Sequence, residues 1–489
     1  MSEHTDFTDP TELAYASATE LLTAFRAGTT TPAAVLEAQL ARIDAHDGSG
    51  GTPDGGTDGL GAIVDRYDDE ARELAAAATE RYRAGTARAL EGITVAVKEK
   101  HAMAGRHMTE GSLAWDGTVP DFDHPVVERL RAAGAILHVR TATPEFSITG
   151  YTQSLAWGVT RNPWNPDFSP GGSSGGSGAA LAAGMTTLAT ASDIGGSTRG
   201  PASYCGLLGY KAPYGRVPGA APNSLDYYRG DGLLARSVED ACVGFNLISG
   251  QHWRDQTSLP DVTIRADEPV AGMRIAYSED LGGFAVDAEV RANTRALLEA
   301  LSDAGAEVEQ VAFPDLRREF ATALMVHFGQ LNSQLVTRTT AGREDELTEY
   351  GRDTVALGRR VAAEHTMYDA VQAEWAIQQA LARIMKGFDA LVCPTSATVG
   401  QPAGVDVNAT GIEVGGRQVS GIEALLTAQL NVNNRCPVMS VPSGFASNGV
   451  PTGAQIVGRP YADDTVFSLA AAVESLGYVP FTRGVRPEL

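Results

Sequence analysis

The chain has 489 residues, 43% of them hydrophobic and only 7% aromatic, which suits two or three domains of roughly 150 residues or one large α/β unit with a core of small side chains. Its 60 acidic residues against 38 basic ones give a formal net charge of -22, which repels phosphate backbones and anionic headgroups, so neither nucleic acid nor a membrane surface is expected as a partner. Cys205, Cys242, Cys393 and Cys436 form no C-x-x-C pair and read as buried free thiols; with a polar, acidic start at Met1 to Pro10 and no run of about 18 apolar residues, a cytoplasmic protein is expected.

Apolar residues recur at three- and four-residue steps over 11–44, predicting helix. Residues 46–61 are a Gly/Asp/Ser/Thr tract that reads as an exposed loop, and 68–84 are helical again. Ile93 to Val97 is a β-branched run that predicts a buried strand delivering Lys98 at its end. A helix over 126–133, closed by Gly134, precedes a strand over 135–139. A glycine–serine run from Pro170 to Gly178 leads into helix at 179–183. A strand at 187–191 then enters a second glycine turn, Asp193 to Arg199. Later helices are expected at 287–304 and 368–386, and late strands at 390–393 and 438–441. The alternation predicts an α/β fold: one large domain with a central mixed sheet covered by helices on both faces. Within it we distinguish an N-terminal helical region (11–90), a core (91–245) and a C-terminal part completing the sheet (246–489).

The run Gly171-Gly172-Ser173-Ser174-Gly175-Gly176-Ser177 invites three readings. A phosphate loop would end in Gly-Lys-Ser/Thr, which is missing, and a flexible linker would not be bracketed by Trp164, Phe168 and an Ala-rich helix. The third reading is a tight turn presenting serine hydroxyls. The turn Asp193-Ile194-Gly195-Gly196-Ser197-Thr198-Arg199 supports it, because glycines before a serine expose N–H groups to a developing oxyanion. None of the nine histidines has an acid in orienting context, no cysteine sits in a glycine turn, and no H-x-x-x-H or H-x-H spacing offers a metal site. Lysine is the remaining base, and there are only four: Lys98, Lys100, Lys211 and Lys386. Lys98 ends an apolar strand, where burial would lower its pKa and leave a neutral amine. The alternative is a stem that packs while the head snorkels to water. The residues alone leave both open.

Together these segments resemble the amidase signature family. The likeness runs from Gly92–Lys98 through Pro170–Ser177, Asp193–Arg199 and Cys205–Lys211, with weaker echoes at Leu234–Asp240 and Gly453–Pro460. The resemblance implies the amidase signature fold and a Ser–Ser–Lys triad with Lys98 as base, Ser173 as bridge and Ser197 as nucleophile. It further implies a cis peptide bond before the bridging serine and an oxyanion hole from the backbone N–H groups of Ile194, Gly195, Gly196 and Ser197. Asp193 and Arg199 would support the turn, and Ser174 would either assist by hydrogen bonding or satisfy backbone groups. No metal or organic cofactor is implied. The implied activity is hydrolysis of a small-molecule or short peptide-like amide through an acyl-enzyme, and a homodimer is common in such enzymes. Tyr151, Tyr227, Tyr228 and His327 are candidate pocket residues, with Trp157 and Phe328 beside them. The sequence departs from the family's usual pattern at Glu99, Lys100, Thr94, Ala142, Leu233 and the run Tyr227-Tyr228-Arg229. Two other functions are kept in view: the glutaminase subunit of a tRNA-dependent amidotransferase, and a non-catalytic binding protein on the same fold.

Overall fold

Strands that are apolar throughout need cover on both faces, and one eleven-stranded sheet supplies the frame. In the computed structural model, which describes residues 7–48 and 59–489, its strands are β1 (Ile63–Arg66), β2 (Thr94–Lys98), β3 (Ile136–Thr141), β4 (Leu188–Asp193), β5 (Leu208–Lys211), β6 (Gly230–Ala235), β7 (Arg274–Tyr277), β8 (Glu307–Gln310), β9 (Ala390–Pro394), β10 (Val438–Phe445) and β11 (Pro451–Gly458). Their spatial order is β1-β3-β2-β4-β6-β5-β10-β11-β9-β7-β8. Two parallel blocks, β3-β2-β4 and β9-β7-β8, flank an antiparallel centre, so the sheet is mixed as expected. The loop expected at 46–61 lies largely outside the described residues.

Every residue of β2 is buried, and its register sets the site. Val95 pairs with Leu188 of β4 and Lys98 with Thr141 of β3, so the lysine ends level with the last residue of β3 while β4 runs on to Asp193. Directly over this edge lies the helix Gly175–Ala182, buried along its whole length. Its small residues allow close approach: a Cβ on Gly176 would run into the backbone of Ala142. Ser177 fastens the helix to the sheet, donating to Thr190 O (2.8 Å) and bonding Thr141 Oγ1 (2.7 Å). Ala142, one of the departures, meets the helix start through its backbone, its O accepting the Gly176 N–H at 3.2 Å.

The helix expected over 11–44 divides into Pro10–Tyr15, Ala18–Ala27 and Pro32–His46, separated by capping residues Ser17 and Thr31. The C-terminal half carries more helix than periodicity predicts. Besides the expected Ala288–Asp303 and Met367–Met385, the helices Arg317–Gln330, Asn332–Thr339 and Glu349–Glu364 form a layer beside the end of β4. In Arg317–Gln330, Leu324, Met325 and Phe328 face a cavity while other apolar residues face the core, which blurs the one-sided stripe an amphipathic helix normally shows; Asn332–Thr339 and Glu349–Glu364 keep that stripe. Of the cysteines, Cys205, Cys393 and Cys436 are buried free thiols, while Cys242 is half-buried rather than buried.

Candidate active site

Lys98 leaves β2 pointing beneath the helix Gly175–Ala182, and its ammonium position is ringed by hydroxyls. Lys98 Nζ lies 2.8 Å from Ser173 Oγ, 2.9 Å from Ser174 Oγ and 3.1 Å from Ser192 Oγ. The residue is wholly buried. Burial first, then the positive charges of Lys100 and Arg229, push its pKa well below the ordinary lysine value, outweighing Asp231 and Glu110. The positive end of the helix that starts just after Ser174 acts in the same direction. A neutral amine has two N–H groups and one lone pair, so three hydroxyls satisfy it completely, two accepting and one donating. The snorkelling alternative is thereby removed: this head does not reach water.

Ser173 follows a cis Gly172–Ser173 peptide bond. Ser197 occupies the second glycine turn, and Ser174 N–H donates to Ser197 O at 3.3 Å, tying the two turns together. Ser173 and Ser197 line the same cavity, but their hydroxyls are not hydrogen bonded to each other in this structure. Ser174 shares Lys98 with Ser173 and lies 3.4 Å from both Ser192 O and Ser192 N, so it serves the lysine and the backbone together.

The turn is held by a buried ion pair. Arg199 Nε and Nη2 each donate to Asp193 at 2.9 Å, and Asn431 Nδ2 adds a third bond at 2.8 Å. Burial alone would raise the Asp193 pKa, but Arg199 beside it holds the carboxyl at about 2. Asp193 Oδ1 also accepts the Gly196 N–H at 2.8 Å, and Thr198 N–H reaches Oδ2 at 3.3 Å. This corrects one expectation. The Gly196 N–H is already used, whereas no bond within the described residues takes those of Ile194, Gly195 and Ser197. The free donors of the turn are therefore Ile194, Gly195 and Ser197. Gly196 instead serves the backbone shape: its φ of 120° suits glycine, and a Cβ there would run into Thr427 Oγ1.

The expected aromatic lining is also corrected. Tyr151 is buried behind Gly172 with its hydroxyl donating to Asp406 (2.6 Å), and Tyr228 is buried with its hydroxyl on Glu374 (2.6 Å). His327 stacks on Tyr228 at 3.8 Å and bonds Asp226 at 2.7 Å, while Tyr227 packs edge-on to Tyr214. None of the four faces the cavities beside Ser197, because each ring is committed to a neighbour behind the wall. Trp157 also lies off that wall. Phe328, next to His327 in sequence, does line one cavity, and Asn223, Asp226 and Arg229 from the same loop as the tyrosines line the other.

His101, His124 and Asp231 gather within 4.8 Å, a grouping that sequence spacing does not reveal. Their hydrogen bonds suit a carboxylate brace better than a cation site. His124 Nδ1 accepts the Val126 N–H (3.3 Å), which leaves Nε2 protonated and facing Asp231 Oδ2 at 3.4 Å. His101 bonds Asp231 at 3.1 Å, and Arg229 adds its guanidinium at 3.2 Å, a charge that would repel a metal ion. Glu99 is likewise structural: it accepts from the Thr109 and Glu110 N–H groups and pairs with Arg140 at 3.1 Å, while burial lifts its pKa to about 7.

The Amidase family model matches residues 55–467. A glutamyl-tRNA(Gln) amidotransferase subunit of Chloroflexus aurantiacus is 32% identical over 95% of this chain and 97% of its own length. Among solved structures, a bacterial aryl acylamidase of the amidase signature enzymes superposes with a TM-score of 0.85 at 24% identity, covering 97% of this chain and 99% of that one. The glutamyl-tRNA(Gln) amidotransferase subunit of Thermotoga maritima gives a TM-score of 0.71 at 27% identity over 90% of each chain. With a buried lysine among serines, a glycine turn of free N–H donors and a family match over most of its length, the chain belongs to the amidase family.

Proposed function

We propose that the protein hydrolyses the C–N bond of a small-molecule amide through an acyl-enzyme on Ser197. The reading rests on Lys98, a buried amine within hydrogen-bond reach of Ser173, with Ser197 on the wall of the same cavity. Ser197 Oγ attacks the amide carbon, its proton passes to Ser173, and Ser173 gives its own proton to neutral Lys98. The carbonyl oxygen takes the negative charge and faces the free N–H groups of the 194–197 turn. As the C–N bond breaks, the proton returns through Ser173 to the leaving nitrogen, which departs as neutral amine or ammonia. Water then attacks the ester by the same proton route, releasing the carboxylic acid and restoring Ser197. Four free cysteines suit a reducing, cytoplasmic setting for this enzyme.

A glutaminase role, as in a tRNA-dependent amidotransferase, fits less well. Glutamine brings a charged α-ammonium and α-carboxylate on its acyl part, whereas Leu324, Met325, Phe328, Leu357, Ile422 and Leu425 line a cavity that reaches Ser197. An apolar acyl group suits that wall.

Intact mass after treatment with a serine-directed sulfonyl fluoride tests the reading. One adduct on the wild type and none on Ser197→Ala, together with turnover of an apolar amide, is the expected result. Equal labelling of both proteins would place the nucleophile elsewhere. No labelling and no turnover would overturn the amidase reading in favour of a binding protein.

A further inference from the structure

Two cavities meet at Ser197, and their chemistries differ. One, of about 110 Å³, is the apolar space just described. The other, of about 40 Å³, contains Ser173 and Ser192 and is walled by Lys100, Glu110, Asn223, Asp226 and Arg229.

Of the acids on and behind that wall, Glu110 has only Lys100, at 3.8 Å, among the described residues, while Asp226 and Asp231 are engaged. Asp226 bonds His327 at 2.7 Å and accepts the Tyr228 N–H at 3.0 Å. Asp231, just behind, takes His101 at 3.1 Å, faces His124 at 3.4 Å and receives Arg229 Nη2 at 3.2 Å and Nε at 3.5 Å. The cations are not so satisfied. No bond within the described residues uses Arg229 Nη1, although the side chain is only 10% exposed. Lys100, 11% exposed, has Glu110 Oε2 at 3.8 Å, too far for a hydrogen bond, and no other acceptor among the described residues. Both residues are half-buried and line the cavity, and cationic donors turned into a cavity without a protein acceptor suit a ligand with acceptor oxygens.

We propose that Lys100 and Arg229 form an anion subsite beside Ser197, and that the substrates are amphipathic amides with an apolar acyl group and a carboxylate on the leaving amine, the chemistry of an N-acyl amino acid. The assignment of sides rests on the amidase reading above: Ser173, which hands the proton to the leaving nitrogen, lines the charged cavity and not the apolar one. A planar carboxylate suits the free edge of a guanidinium and an ammonium together. Asp231, braced by His101 and His124, orients Arg229 toward that carboxylate. The overall reaction adds one water across the amide, giving a carboxylate from the acyl part and a free amino acid from the rest.

A charge series at constant shape tests this: N-octanoylglycine, N-octanoylethanolamine and N-octanoyl-1,2-diaminoethane, assayed at a pH on the plateau of each enzyme's rate profile. The wild type should cleave the carboxylate about 10- to 100-fold better in kcat/KM than the neutral compound, with the ammonium compound poorest. In Lys100→Gln and in Arg229→Gln that ratio should fall toward one, mainly through KM, which a loss of folded protein would not mimic because the ratio is internal. Calorimetry on Ser197→Ala should show N-octanoylglycine binding more tightly than N-octanoylethanolamine and weakening with added salt. If Ser197 is sulfonylated and the neutral or cationic amide is cleaved as well as the carboxylate, the anion subsite is wrong while the amidase reading stands. If Ser197 takes no sulfonyl group and no member is cleaved, the amidase reading has failed and the subsite falls with it.

Discussion

Two lysines close strands of one sheet, Lys98 on β2 and Lys211 on β5, and both are buried. Burial is the largest cause in each case of a lowered pKa, to about 7 for Lys211 and well below the ordinary value for Lys98. Their partners separate them. Lys211 Nζ donates to Asn434 Oδ1 at 2.5 Å and Cys436 O at 3.0 Å, two groups that only accept. A neutral amine satisfies both with its N–H groups and has no proton source for its lone pair. Lys98 has three hydroxyls, and two of those serines, Ser173 and Ser192, line a cavity with Ser197. Desolvation makes a lysine neutral, but only neighbours that can donate make it a base.

The sharpest way to break this comparison is to replace each lysine by methionine. Lys98→Met should lower kcat/KM on a cleaved amide by about 10⁴-fold or more, the loss typical of removing a member of such a proton relay, with little change in the urea midpoint. Retention of a tenth of the activity would contradict the assignment. Lys211→Met should do the reverse, costing about 1–3 kcal/mol of stability because Asn434 Oδ1 and Cys436 O lose their donor, while kcat/KM of the folded enzyme stays within about tenfold. Urea unfolding and steady-state rates on the same samples read both.

Acid–base behaviour sharpens the contrast further. The folded pKa of Lys211 is about 7, against 10.5 for an ordinary lysine, so across that window the unfolded chain binds a proton that the fold does not. Its contribution therefore makes stability rise with pH from about 7 toward 10.5 and is lost as pH falls. Urea midpoints across that range should rise less steeply in Lys211→Met than in the wild type; parallel curves would contradict the lowered value. The smallest effect belongs to Lys100. Its positive charge helps to keep Lys98 neutral, so Lys100→Gln should move the acid limb of the kcat/KM profile to higher pH. A limb moved the other way would mean that Lys98 does not titrate on it.

The features that carry the chemistry are legible in the sequence wherever they are local. β2 with Lys98 at its end, the two glycine turns and the short strands beside them follow from β-branched runs and glycine spacing. The engagement of the Gly196 N–H has one available signal, an aspartate three residues earlier, since such carboxylates often accept from the backbone just ahead. The helix Arg317–Gln330 is hard to read from periodicity because its apolar residues line a cavity as well as the core, whereas Asn332–Thr339 and Glu349–Glu364 carry a one-sided stripe that periodicity can find. The loop at Tyr227-Tyr228-Arg229 stands out for its aromatics, yet Arg229 is the residue that faces the site. Its position depends on Asp231, His101 and His124, which only the folded sheet brings together.

The most direct test of an activated Ser197 is the rate of its sulfonylation as a function of pH, in the wild type and in Lys98→Met. The wild-type rate should climb as Lys98 loses its proton and level off well below the ordinary lysine value of 10.5, while Lys98→Met should react at least about 100-fold more slowly and show no such limb. Equal rates in the two proteins across the pH range would contradict Lys98 as the base.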